Sequence, residues 1–296
     1  MHAHKDDIIK GCACCVLATF LFGIMGMSGK LLTENHHPAE IVFYRYLIPL
    51  LPLLGIMIWK KRENINIFKT KKPVGLLLRC ISGAGAMGMH VAALQYLPIA
   101  DERVIAFTCS LFAPMIAYFI LKEHVGFRRW TAILIGFGGV ILIAGPTGNI
   151  HPMGLVFALI AALMDAGMIT TLRYLKSENA LTITFYLGIF GSLVTGIFFM
   201  PFVAAPFTSL TEIGLIVLVS ICGIFAQLSM TYASRHAPTA IVSPFMYTSL
   251  VWAIMFDIVI WSKTPTMIVL LGGAIIISSN LFILYREHIN AKLEAK

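Results

Sequence analysis

Residues 60–72 read KKRENINIFKTKK, a strongly basic stretch that lies between two long apolar segments, 38–59 and 73–97. Along the rest of the chain, every second connection and both termini are basic as well, whereas the intervening connections carry almost no cation. Of the 22 Lys and Arg residues, only five lie elsewhere: Lys30, Arg45, Arg79, Arg103 and Lys263. Cytoplasmic loops keep Lys and Arg, whereas translocated loops lack them. The alternation therefore predicts a polytopic membrane protein with an even number of spans and cytoplasmic termini.

Ten apolar segments occupy the space between these connections. Each is about 18–25 residues long, which is enough for a helix across a hydrocarbon core of roughly 30 Å. Backbone hydrogen bonding within the bilayer favours helices, because a barrel strand needs only about 9–11 residues. Pro38, Pro73, Pro152 and Pro238 open segments, as first-turn prolines do. We predict an all-α protein with spans at 11–32, 38–59, 73–97, 100–121, 128–145, 152–172, 180–200, 211–234, 238–261 and 265–285.

Composition agrees with a membrane protein and argues against several other classes. Hydrophobic residues make up 58% of the chain and charged residues 12%, against about 25% in a soluble domain. The net charge of +8 reflects the cytoplasmic loops, so we expect no nucleic-acid partner. The chain lacks a Walker phosphate-binding loop, and its six cysteines lack metal-site spacing. We therefore expect no cofactor, no metal and no ATP-driven work by this chain alone.

The two halves of the chain resemble each other weakly. A shift of 143 residues places Gly11 on Gly154 and Lys30 on Arg173, and the glycine-rich runs near 136–139 and 272–273 also correspond. Five spans in each half is an odd number, so the second half enters the membrane from the opposite side. This arrangement is an inverted repeat, in which a substrate site is expected at the interface of the halves. We predict one repeat at 1–147 and the other at 148–296.

Several motifs resemble the EamA branch of the drug/metabolite transporter superfamily. The resemblance spans essentially the whole chain, and its most diagnostic part is Tyr96-Leu97-Pro98-Ile99-Ala100. The second half departs from the pattern, since it has Ile260-Trp261-Ser262 where a match to Glu123 is expected, and Pro244 where a later proline is expected. The remaining motifs are the Gly23-rich first segment ending in Lys30, Phe43-Tyr44-Arg45, Leu78–Gly83, Pro114, Leu121–His124, Arg128-Arg129-Trp130 and Gly136–Gly139.

The resemblance implies a secondary transporter of a small polar metabolite in the bacterial inner membrane, with a cavity lined by spans 1–4 and 6–9. The pattern is most similar to the subgroup that contains S-adenosylmethionine uptake carriers. Riboflavin, other vitamin or nucleotide importers and amino-acid or metabolite exporters share much of it. The expected partners are a small-molecule substrate, the lipid bilayer and a coupling proton or counter-substrate; the sequence leaves the oligomeric state open.

Ionisable residues inside the spans are the first site candidates, because burying a charge in a membrane is costly and usually functional. Asp165 lies well inside its segment, where it could bind a cation, take up a coupling proton or make a structural hydrogen bond. Arg45 and Arg79 either face a site or extend towards the headgroups. Lys30 lies near the outer end of its segment, where the same two interpretations apply.

Other polar and aromatic residues complete the candidate set. His90 shares one face of the third segment with Arg79, and Gln227 lies on a polar stripe of the eighth. Four aromatic residues could hold a base or a sulfonium group: Tyr44, Tyr96, Tyr247 and Trp252. The gate candidates, which could equally form local ion pairs, are Asp101, Glu102, Arg103 and Glu123.

Two other classes fit the sequence less well than a transporter does. A channel would need a ring of charge or an amide filter, and neither is obvious. An intramembrane enzyme would need a Gly-x-Ser-Gly nucleophile, paired aspartates or a His/Asp metal cluster. His36-His37 has no matching ligands in the sequence. We therefore predict a transporter and not an enzyme.

Overall fold

The computed structural model describes residues 5–61, 70–121, 127–144, 150–175, 178–236 and 239–294. Throughout these ranges the regular structure is helical, and no strand occurs in them. The helices are α1 (Lys5–Leu32), α2 (Pro38–Leu47), α3 (Leu50–Lys61), α4 (Pro73–Leu94), α5 (Ile99–Ala106), α6 (Cys109–Leu121), α7 (Phe127–Ala144), α8 (Pro152–Tyr174), α9 (Ala180–Phe198), α10 (Met200–Val203), α11 (Leu210–His236), α12 (Thr239–Met246), α13 (Thr248–Trp261) and α14 (Met267–Glu294).

The helices have the length and composition of membrane spans. Within the described residues, seven stretches are long and apolar enough to cross a bilayer: Ile9–Leu32, Pro38–Trp59, Pro73–Leu94, Pro152–Thr171, Leu181–Phe198, Leu210–Ala233 and Pro244–Trp261. Two shorter apolar helices are Trp130–Ala144 and Met267–Ile283. The predicted all-helical polytopic class is confirmed. The count of ten spans and the cytoplasmic termini stay predictions.

Helix starts follow from capping chemistry. Pro38, Pro73 and Pro152 occupy the first turns of α2, α4 and α8, where a missing N–H breaks no helical hydrogen bond. The side chain of Asn179 accepts a hydrogen bond from the Leu181 N–H at the start of α9. Pro238, the fourth proline predicted to open a segment, lies outside the described residues.

Three predicted segments are not continuous helices. Segment 38–59 is divided into α2 and α3, segment 100–121 into α5 and α6, and segment 238–261 into α12 and α13. Threonines stabilise two of the interruptions, because the Thr108 hydroxyl donates to the Ile105 carbonyl and the Thr248 hydroxyl to the Phe245 carbonyl, both at 2.7 Å. The sequence prediction missed these breaks, since apolar composition continues across them.

The helices of the two halves pack against each other in corresponding pairs. α1 packs on α11 and α4 packs on α8, while α2 packs on α9 and α7 packs on α14. The α7–α14 contact is a close backbone approach, in which a Cβ added to Gly139 would lie 2.8 Å from the Gly272 carbonyl oxygen. The largest buried cluster lies among α1, α2, α4, α9 and α11. The polar residues described next therefore lie within a packed bundle.

Candidate functional site

A histidine joins two carboxylates at the centre of the candidate site. Nδ1 of His90 on α4 pairs with Oε1 of Glu102 on α5, and Nε2 lies 2.8 Å from Oδ2 of Asp165 on α8. Beyond Glu102, Arg103 Nε lies 3.4 Å from Oε2 of that carboxylate. We call Asp165, His90 and Glu102 the acid–histidine chain. It connects three helices by ionisable groups, an expensive arrangement in a membrane interior.

The exposed fractions give the acid–histidine chain a direction. The Asp165 side chain is 24% exposed and that of His90 14%, whereas Glu102 is 0% exposed. Asp165 is therefore the accessible end and Glu102 the enclosed end.

The local folding of α4 brings His90 and Arg79 to the bundle interior. Arg79, Gly83, Ala86 and His90 follow helical spacing, and the first three are buried while His90 is partly so. This agrees with the shared face expected from the sequence. Arg79 is 1% exposed, so its guanidinium does not extend to the headgroups. This was one of the two interpretations that the sequence left open for Arg79.

A second polar cluster closes the end of the bundle near residues 97–100. The Asp257 carboxylate accepts hydrogen bonds from the N–H groups of Ile99 at 3.1 Å and Ala100 at 2.7 Å, and so caps α5 from α13. Lys30 Nζ donates to the Leu97 carbonyl at 2.8 Å and lies 3.9 Å from Asp257 Oδ1. We call Lys30, Asp257 and the backbone of 97–100 the outer latch. It joins α1 and the α4–α5 corner to α13.

A third polar cluster surrounds Tyr46. The Arg45 guanidinium lies 4.9 Å from the centre of the Tyr46 ring, and the Tyr46 hydroxyl donates to the Gly83 carbonyl at 3.3 Å. Arg45 and Gln227 line a small cavity of about 40 Å³ between α2, α3, α9 and α11, with Leu187 and Gly223 in its wall. The cavity has room for a few water molecules.

Two of the three divided segments meet at aromatic rings. Phe107 follows α5 and Tyr247 follows α12, and their ring centres are 4.9 Å apart in an edge-to-face arrangement. The Phe107 carbonyl accepts hydrogen bonds from Asn280 Nδ2 at 3.0 Å and from the Ser110 N–H at 3.2 Å. Breaks of this kind are found where transporter helices line a substrate site.

The structure brings some of the predicted site residues together and separates others. Arg45 and Gln227 share a cavity, and Tyr247 lies at a helix break. Trp252 packs on Phe20, and its buried Nε1 has no hydrogen-bond partner in the described part of the chain. Tyr96 and Tyr44 are apart from these groups: Tyr96 stacks on His151, and Tyr44 packs on Phe43 and Phe207.

The gate candidates lie in different surroundings, and their role as gates stays a prediction. Glu102 does not line an open mouth, because it is fully enclosed and pairs with His90; Asp101 is 9% exposed. The sequence places both only a few residues from the end of a span, but α5 begins inside the bundle, so its first turn is buried. Arg103 is the most exposed member, at 21%. Glu123 lies outside the described residues.

Sequence reasoning missed a buried cluster at the α1–α2 connection. His36 Nδ1 lies 3.0 Å from Glu40 Oε2, and His36 Nε2 lies 3.7 Å from Glu212 Oε2 on α11. Glu40 is 0% exposed. The four-residue spacing of His36 and Glu40 was the available signal, but nothing in the sequence indicates Glu212 as the third member. Among the described residues no group of His, Cys, Asp or Glu side chains is arranged to hold a metal ion.

Comparison with known families agrees with this architecture. The profile of the EamA-like transporter family matches residues 9–145 and 152–285. The chain belongs to the EamA-like transporter family. It is therefore a membrane transporter, and the family resemblance expected from the sequence is confirmed.

Individual relatives differ in what their names say they carry. An S-adenosylmethionine uptake transporter of Rickettsia prowazekii is 25% identical, over 94% of each chain. An uncharacterized transporter of Helicobacter pylori is 27% identical, over 94% of this chain and 96% of its own. A pseudopaline exporter of Pseudomonas aeruginosa is 25% identical, over 92% and 95%. All three are named as transporters, which supports transport and not catalysis for this EamA-like protein.

A solved crystal structure shares the fold. It aligns with a TM-score of 0.63 over 94% of this chain and 96% of its own, at 13% identity.

Proposed function

We propose that this EamA-like transporter is a secondary carrier that moves S-adenosylmethionine into the cell across the bacterial inner membrane. It would work by alternating access and be driven by exchange or by protons. The observation that carries this proposal is the acid–histidine chain, because it places a partly accessible carboxylate inside the bundle and links it to an enclosed one.

The chemistry of the acid–histidine chain links the binding of a substrate cation to the release of a proton. A neutral imidazole donates only one N–H, whereas a protonated imidazole donates from both nitrogens and so satisfies Glu102 and Asp165 together. A substrate cation that binds Asp165 competes with the His90 N–H for the same carboxylate. Its arrival favours release of a proton, and its departure favours uptake of one. Substrate and proton would therefore exchange at one site.

S-adenosylmethionine fits this site because it carries a sulfonium cation. The relative of Rickettsia prowazekii that is named for its uptake supports the choice. Export of a metabolite is the second candidate, which the pseudopaline exporter of Pseudomonas aeruginosa supports at the same identity.

We also propose that the halves 1–147 and 148–296 are inverted repeats that rock about this site. The pairing of α1 with α11 and of α4 with α8 supports this, because each pair is the counterpart of the other when the halves are exchanged. The matched threonine-supported breaks at Thr108 and Thr248 give further support. In this proposal the outer latch holds the translocated side closed, and Lys30 is one of its members.

The test is uptake of radiolabelled S-adenosylmethionine by proteoliposomes that contain the purified protein. Vesicles preloaded with unlabelled substrate should accumulate label by counterflow, which a channel does not do. Asp165→Asn should lower the rate at least tenfold, because the amide keeps the shape but loses the charge. Glu178→Gln, which removes a carboxylate outside the acid–histidine chain and outside the gate candidates, is the control. Unchanged and pH-independent transport by Asp165→Asn would refute the role of Asp165.

A further inference from the structure

Arg79 is a buried cation, with a side chain that is 1% exposed. Among the described residues, neither its Nε nor its Nη1 has a hydrogen-bond partner. The ion pairs found within the described residues commit the interior carboxylates elsewhere: Asp165 and Glu102 to His90, and Asp257 to Lys30. A buried charge without a partner is strongly destabilising. The presence of such a charge despite this cost indicates that it has a function.

The guanidinium of Arg79 is closely packed, and a cavity lies beside it. The guanidinium lies against Gly83, where any larger residue would overlap Nη1. Leu187 is the next neighbour, because its Cδ1 lies 3.2 Å from the same Cβ position on Gly83. Leu187 and Tyr46 also line the cavity that contains Arg45 and Gln227. Arg79 therefore lies immediately behind the wall of an existing cavity.

The positions of the charged side chains near this cavity indicate which charges the ligand carries. The carboxylate of Asp165 lies 2.8 Å from Nε2 of His90, and His90 lies seven residues, or about 10 Å along α4, beyond Gly83 on the same helix face. A planar guanidinium binds a carboxylate through two parallel N–H donors. A ligand that satisfies both groups carries one negative and one positive charge.

We propose that Arg79 forms an anion subsite that binds the carboxylate of a substrate which also carries a positive charge. The subsite rests on the proposed transport function and defines its substrate class as zwitterions with a free carboxylate. Gly83 keeps the guanidinium at its position, and Tyr46 separates it from Arg45.

The first experiment measures discrimination in the proteoliposome uptake assay. Decarboxylated S-adenosylmethionine keeps the sulfonium group but lacks the carboxylate, and we expect it to compete with labelled S-adenosylmethionine at least tenfold more weakly than the unlabelled substrate does. In Arg79→Gln this difference should fall below threefold. Lys72→Gln, which removes a cation at the start of the same helix, should keep it. Equal competition by both compounds in the wild-type protein would overturn the carboxylate assignment, as would full discrimination by Arg79→Gln.

The second experiment needs no substrate. Arg79→Met removes an unpaired buried charge, so the melting temperature of the purified, ligand-free protein in detergent should rise by about 2 °C or more. A fall of that size means that Arg79 holds the fold together, and it would overturn the subsite. If S-adenosylmethionine is not transported but the melting temperature rises, the proposed substrate is wrong and the anion subsite is supported.

Discussion

Replacing Asp257 by Asn tests whether the outer latch holds the bundle closed at one end. The carboxylate accepts two backbone N–H groups, from Ile99 and Ala100, and it is 1% exposed. An amide has one acceptor oxygen, so it keeps at most one of these hydrogen bonds. Its NH₂ group then faces the other N–H and the Lys30 ammonium, both of which are donors.

The size of the effect follows from those contacts. Hydrogen bonds to a charged group contribute about 1.5–3 kcal/mol each. Losing one of the two hydrogen bonds and weakening the other lowers the stability of the latched state, relative to the unlatched state, by about 3 kcal/mol. At about 1.4 kcal/mol per tenfold, the equilibrium between unlatched and latched states shifts roughly 100-fold.

Amide hydrogen exchange followed by mass spectrometry measures this shift in the purified protein. Exchange in peptides that cover 97–106 should be roughly 100-fold faster in Asp257→Asn, while peptides from α7 should be unchanged. Asp101→Asn is the control, since Asp101 lies in the same turn of α5 and its Oδ1 has no hydrogen-bond partner. Unaltered exchange at 97–106, or an equal increase in Asp101→Asn, would show that Asp257 does not hold the latch.

Two further predictions concern packing. Gly139→Val should lower the melting temperature by the equivalent of about 1–3 kcal/mol, because the new side chain meets the Gly272 carbonyl; Gly138→Val, with nothing within 4 Å, should not. Substrate affinity of the folded Gly139→Val protein, measured by equilibrium binding, should stay unchanged, and an equal loss of stability in Gly138→Val would contradict the packing argument. His36→Leu should lower the free energy of unfolding by about 3 kcal/mol, because Glu40 is left buried without its partner. The exposed His37 supplies the control, since His37→Leu removes only a helix cap of about 1 kcal/mol, and similar thermal denaturation curves for the two variants would refute the prediction.

The sequence predicted the class of fold well and the site only in part. Hydropathy identified most of the span boundaries, because a bilayer requires long apolar helices regardless of their packing. It missed the divisions near Phe107 and Tyr247, where side chains such as Asn280 and Thr248 donate hydrogen bonds to backbone carbonyls. Such compensation leaves no trace in composition.

The site residues illustrate the same limit. Asp165 and His90 were singled out because ionisable groups in spans are rare. Their hydrogen bond, and the inclusion of Glu102, depend on how α4, α5 and α8 pack. Asp257 is not among the site residues selected from the sequence, since the N–H groups that it caps lie about 160 residues earlier in the chain.

By itself, the sequence determined that this protein is a helical membrane transporter of the EamA-like family. The basic loops and apolar segments are local properties, and a bilayer acts on each segment separately. Only the tertiary structure decided which charges have partners. It paired Asp165 and Glu102 through His90, paired Lys30 with Asp257, and left Arg79 without a partner among the described residues. The reason is that an ion pair depends on a few ångströms between side chains of different helices, a distance set by packing.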